Sequence, residues 1–177
     1  MTCQEVLTQA HPSGMLDGMS TERDERAVTA HHEAGHAVAT KMRGGGVLRS
    51  IHLDDDPAAS GRHGITYMSH MPWDSAFISY GGLWAQARYE WMLVGGADDC
   101  SGEDDDGLTF DDYRFGAYLE QREDATDVGA ISRAHEDVWR YELGQAWPVI
   151  RQVAALLLAG SEVTDADVEE LRDAAWV

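Results

Sequence analysis

Polar and apolar residues recur along the chain with two different periods, and together they predict a mostly helical protein with a small β element. Helical spacing begins at residues 20–21, where Ser or Thr can cap a helix, and it continues to about Arg43. Three glycines at 44–46 end that helix. Alternation over residues 47–53 and again over 64–68 predicts two short strands.

The second half of the chain has helical periodicity almost throughout. One predicted helix spans residues 74–94 and is interrupted at the glycine pair 81–82. Residues 1–19 show no clear period and predict a loose lead-in, so we expect a single domain over residues 20–177 of the α+β class, mainly α. The later helices are predicted at 109–122, 126–144, 146–159 and 164–175.

The charge balance disfavours two classes of partner. The chain has 32 acidic and 13 basic residues, a formal net charge of −19, which repels phosphate backbones and anionic lipid. We therefore expect no nucleic-acid and no membrane partner. The longest apolar run, 153–159, falls short of the roughly 20 residues that cross a bilayer. With no basic residue before Arg23 and no apolar leader segment, a cytoplasmic protein is expected.

One stretch of the first helix carries the candidate chemistry. The run His32-Glu33-Ala34-Gly35-His36 is an HExxH motif. Two histidines one helical turn apart lie on the same face, about 6 Å apart at Cβ, so both can reach one zinc ion. Glu33 projects beside them, where it can take a proton from water without being a ligand. His31 also precedes the motif and is interpreted as a neighbouring residue.

Gly35 and the aromatic residues near 84–91 each have a structural explanation. A glycine in the middle of a helix costs about 1 kcal/mol relative to alanine, and close approach of another element near the metal would explain it. Trp84, Tyr89 and Trp91 are interpreted as core residues, with a place in the wall of a cleft as the alternative.

A catalytic zinc site needs a third protein ligand. The two cysteines stand alone, and the residues that follow His36 do not continue into a third histidine at the metzincin spacing. The candidates are therefore downstream carboxylates, namely Glu90, Asp111 and Asp112, and spacing alone does not choose among them.

The motif and its flanks resemble the peptidase domain of FtsH-type proteases. The resemblance rests on the run from His32 to Val38, preceded by residues 24–30, and continues in order through residues 50–53, 64–66 and 81–86 and the last helices. It covers roughly residues 22–175, and it implies a zincin-like fold that binds Zn²⁺ through His32 and His36.

The same resemblance ranks the candidate third ligands. In that family the third ligand is an aspartate that opens a helix after a glycine-containing loop, with a small residue four positions later. Asp112 has Gly116 at that position, whereas Asp111 has Phe115. The resemblance therefore favours Asp112, then Asp111, then Glu90.

The function implied is a zinc-dependent metallopeptidase in which Glu33 is the general base. The 177 residues contain no Walker motif, so we expect ATP-independent cleavage of a peptide or a flexible protein segment. One alternative is a non-proteolytic zinc-binding regulator or partner-binding module on the same fold. A second alternative is a different hydrolytic or lyase-type reaction at the same metal site.

Overall fold

The computed structural model describes residues 22–54, 64–97, 100–104, 107–129 and 133–175. The described part is mostly helical with a small sheet, as the sequence predicts; the predicted lead-in and the predicted cap at 20–21 lie outside it. A 3₁₀ turn, Pro72–Asp74, precedes the second helix. The helices are α1 (Glu22–Met42), α2 (Ser75–Leu93), α3 (Phe110–Glu120), α4 (Arg122–Val128), α5 (Arg133–Leu158) and α6 (Asp165–Ala175), and the strands are β1 (Val47–Leu53) and β2 (Gly64–Ser69).

Helix α1 lies at the centre of the fold and packs against α2, α5 and both strands. Its buried positions are mostly small, so neighbouring elements can approach its backbone on several sides. Ala30, Ala34, Ala37, Val38 and Ala39 have no exposed surface. The HExxH motif therefore lies within the core.

The glycine pair 81–82 does not interrupt α2, contrary to the sequence-based prediction. A Cβ atom on Gly35 would lie 2.3 Å from the carbonyl oxygen of Gly81, and one on Gly81 would lie 2.7 Å from Cβ of Ala39. The glycines are thus where α1 and α2 touch backbone to backbone. This contact confirms that Gly35 is required by the close approach of another element.

Helix α5 is continuous where the sequence predicted a break near Pro148. An internal proline removes one helical hydrogen bond and costs about 3 kcal/mol or more. Burial on the opposite face outweighs that cost, since each large apolar side chain contributes roughly 1.5–3 kcal/mol. The buried residues around the proline are Leu143, Ala146, Trp147, Val149, Ile150 and Val153.

The two strands form an antiparallel pair in which Leu53 faces Gly64 and Val47 faces Ser69. Leu48 and Ile51 are buried in the core, and β2 lies beside α1. Trp84 and Trp91 are also buried, as expected for core residues. Within the described ranges, no helix combines the length and the apolar character needed to cross a membrane.

Candidate metal centre

Three side chains bring their ligand atoms together at the middle of α1. The Nε2 atoms of His32 and His36 are 2.9 Å apart. Oδ2 of Asp124 lies 3.1 Å from Nε2 of His32 and 3.2 Å from Nε2 of His36. The two histidines are buried, and the Asp124 side chain is 23% exposed. The group is therefore reached from outside on the side of Asp124.

Helix α2 fixes the orientation of His36. Nδ1 of His36 lies 2.9 Å from the carbonyl oxygen of Ile78 and donates its hydrogen to it. This bond leaves Nε2 as the atom that faces the other two side chains. Gly82 makes room for the ring, because a Cβ atom there would lie 2.5 Å from Nε2 of His36.

The electrostatics of the group favour a positive charge among its three atoms. Burial lowers the pKa of His36, but the hydrogen bond and negative charge of Asp124 outweigh it and raise that pKa to about 9. Burial opposes ionisation of Asp124, yet the bonds from both histidines hold its pKa well below the usual range. The carboxylate is therefore ionised, and a cation between the three atoms is stabilised.

Glu33 is buried beside the histidines and is held from the other side by β2. Oγ1 of Thr66 donates a hydrogen bond of 2.6 Å to Oε2 of Glu33. Gly64 lies against the same side chain, since a Cβ atom there would be 2.8 Å from Cγ of Glu33. The glutamate is therefore confined, and it is not one of the three converging groups.

His31 lies on a different face of α1. Its ring stacks on Tyr89 with 3.9 Å between centroids, and its Nδ1 donates to the carbonyl oxygen of Ala27. Burial lowers the pKa of His31 to about 4, so it is neutral at physiological pH. His31 is thus a packed neighbour of the motif, as interpreted from the sequence.

The structure brings Asp124 to the histidines, in place of the Asp112 expected from the sequence. Asp112 instead closes a capping box at the start of α3. Its Oδ2 accepts bonds from the backbone N–H and the hydroxyl of Thr109, at 2.8 and 2.7 Å. Asp112 is the third residue of the helix, and its carboxylate pairs the backbone N–H of Thr109, which would otherwise have no partner at the helix terminus.

The other two carboxylates considered from the sequence also lie elsewhere. Asp111 accepts from Arg140 across to α5, at 3.2 Å. Glu90 shares the side-chain amide of Gln86 with Glu120. Burial, together with the negative charge of Glu120, raises the pKa of Glu90 to about 7.

Asp124 escaped the sequence analysis because it fell between two predicted helices, 109–122 and 126–144. In the structure it lies in the first turn of α4, a seven-residue helix without an apolar period. The available signal was the adjacent pair Glu123 and Asp124, since acidic residues favour the first turn of a helix. The small residue expected four positions later is absent, because Val128 stands there.

The residues present fit a zinc ion. Two imidazole nitrogens and one carboxylate oxygen are ligand types that zinc binds, at roughly 2.0–2.2 Å. Ligand atoms of a tetrahedral site at such distances are about 3.3 Å apart, close to the spacing found here. Among the described residues, this triad is the group of histidine, cysteine and acidic side chains close enough to hold a metal.

Comparisons with protein-family models, curated proteins and solved structures find no match to this chain.

Proposed function

We propose that this protein is a zinc-dependent metallopeptidase of the FtsH-type, zincin-like class. The observation that carries the proposal is the convergence of the ligand atoms of His32, His36 and Asp124 beside a confined, buried Glu33. Three protein ligands that leave a position for water are the pattern of catalytic rather than structural zinc sites.

When bound, zinc supplies a Lewis acid that polarises a carbonyl group and lowers the pKa of water towards ~7. Glu33 accepts the proton of the attacking water and passes it to the leaving amine. The bond from Thr66 occupies Oε2 and holds the carboxylate in one orientation for this transfer. The proposed substrate is a peptide or a flexible protein segment, cleaved without ATP.

Elemental analysis of purified chain tests the metal centre. We expect about one zinc per chain in the wild type, and loss of zinc in His32→Ala and Asp124→Ala. Asp112→Ala is the matched control, since it removes an aspartate that caps α3 and should retain zinc. Zinc retained by Asp124→Ala but lost from Asp112→Ala would overturn the assignment of the third ligand.

Hydrolysis of unstructured reporter peptides tests the reaction. Glu33→Gln keeps the size of the side chain and can still accept the bond from Thr66, but it lacks a basic carboxylate. We expect this variant to bind zinc and to lose peptide hydrolysis. A zinc-loaded wild type that cleaves none of the peptides would instead support the zinc-binding regulator or partner-binding module. Full activity in Glu33→Gln would refute the proposed base.

A further inference from the structure

Helix α4, which carries Asp124, is hydrogen-bonded to α2 through the carboxylate of Asp127. Oδ2 of Asp127 accepts a hydrogen bond of 3.0 Å from Oγ of Ser75 and one of 3.1 Å from Oγ of Ser79. The two serines are one turn apart at the start of α2. Asp127 follows Asp124 by one turn of α4, so these two hydrogen bonds lie next to the proposed ligand.

The same face of α2 also positions His36. Ser75, Ser79 and Gly82 are spaced i, i+4 and i+7 and therefore share a face of the helix. Gly82 lies against the His36 ring, and Ile78 accepts its Nδ1 hydrogen. Two of the three proposed ligands are thus held by the first two turns of one helix.

Apolar packing does little to fix the rotation of α4. The helix has seven residues, and Val128 is its buried apolar side chain among those whose burial is described. A helix of this length is not stable by itself in water. A shift by one residue would turn Asp124 by about 100° away from the histidines. Specific hydrogen bonds to α2 are therefore needed to keep the carboxylate in place.

We propose that Asp127, held by Ser75 and Ser79, is a positioning residue that preorganises Asp124 for metal binding. This inference rests on the proposed metal centre and adds to it a network outside the ligand set. It acts through Asp124 and contacts neither histidine directly in the described structure. Its signature is therefore a change in metal affinity that depends on the presence of Asp124.

Zinc affinity of the full chain, measured by competition with a chromophoric chelator, tests the inference. We expect Asp127→Ala to weaken zinc binding about tenfold, the lower end for partners outside the ligand set. The double variant Ser75→Ala with Ser79→Ala removes the other side of the same bonds and should have a similar effect. Asp127→Asn keeps an oxygen acceptor and should restore most of the affinity.

Glu123→Ala is the matched control, since it removes an equal charge from the same helix at an exposed position. We expect its zinc affinity to stay within about threefold of wild type, the change expected from one screened charge. Asp124→Ala leaves His32 and His36 as weaker ligands, and adding Asp127→Ala in that background should leave their residual zinc affinity unchanged. Thermal unfolding of each metal-free variant checks that it is folded.

Three negative results are distinguishable. A wild type that binds no zinc would refute the proposed metal centre and, with it, the role of Asp127. The positioning role alone would be refuted if the wild type binds zinc and the zinc affinities of Asp127→Ala and of the double serine variant both equal that of Glu123→Ala. An equal loss from Asp127→Ala with and without Asp124 would also overturn it.

Discussion

Gly35 provides a quantitative test of the packing that surrounds the HExxH motif. It lies in the middle of α1, where alanine should be favoured by about 1 kcal/mol from helix propensity alone. The structure predicts instead that Gly35→Ala lowers the free energy of unfolding. The new Cβ atom would lie 2.3 Å from the carbonyl oxygen of Gly81 and 2.8 Å from Cβ of Ala85.

The size of the effect follows from those two distances. The shorter contact is about 1 Å closer than van der Waals separation permits, and it is made with backbone that cannot rotate away. The two helices must therefore separate by about that amount, which forfeits a quarter to a half of the dispersion energy at each affected contact. Overpacking of this kind costs 1–3 kcal/mol or more. We expect Gly35→Ala to lower the free energy of unfolding by about 2 kcal/mol, net of the propensity gain.

Urea and thermal unfolding of the metal-free chain measure this change. A loss of about 2 kcal/mol corresponds to a Tm lower by roughly 4–8 °C for a chain of this length. Gly116→Ala in α3 is the control, because nothing lies within 4 Å of a Cβ atom placed there. That variant should gain up to about 1 kcal/mol from helix propensity. A Gly35→Ala protein as stable as Gly116→Ala would refute the close contact between α1 and α2.

Three further predictions concern carboxylates. Asp112→Ala should lower the free energy of unfolding by about 1 kcal/mol through loss of the α3 cap, measured by urea unfolding, with zinc content unchanged. Thr66→Val should reduce kcat for peptide hydrolysis roughly tenfold by releasing Glu33, while Thr66→Ser retains the rate; equal rates in both variants would exclude this role. The pKa of Glu90 is raised from 4.5 to about 7 by burial and the charge of Glu120, so Glu90 stays protonated to a higher pH in the folded state than in the unfolded state. Stability should therefore fall as pH rises from about 4.5 to 7. Glu90→Gln should remove up to roughly 3 kcal/mol of that fall, and identical pH profiles of unfolding would contradict the argument.

Local patterns determined the elements of this fold. Helix α1, both strands and α6 begin and end within about two residues of their predicted bounds, since caps, glycines and alternation are properties of neighbouring residues. The predictions failed where burial overrode a local signal. A proline or a pair of glycines tends to break an isolated helix. Helix α2 nevertheless continues through its glycine pair, and α5 through its proline, because the packing that stabilises their buried faces exists only in the folded chain.

The candidate site likewise combines residues that the sequence identifies with one that only the tertiary structure reveals. His32 and His36 are one turn apart in a single helix, so their spacing in the sequence places both on one face of α1. Glu33 is identified by the same motif. Asp124 follows His32 by 92 positions and lies on a short helix whose sequence carries no apolar period. Its place depends on how α4 packs on α2, and only the tertiary structure decides that, because no spacing rule connects residues on separately folded elements.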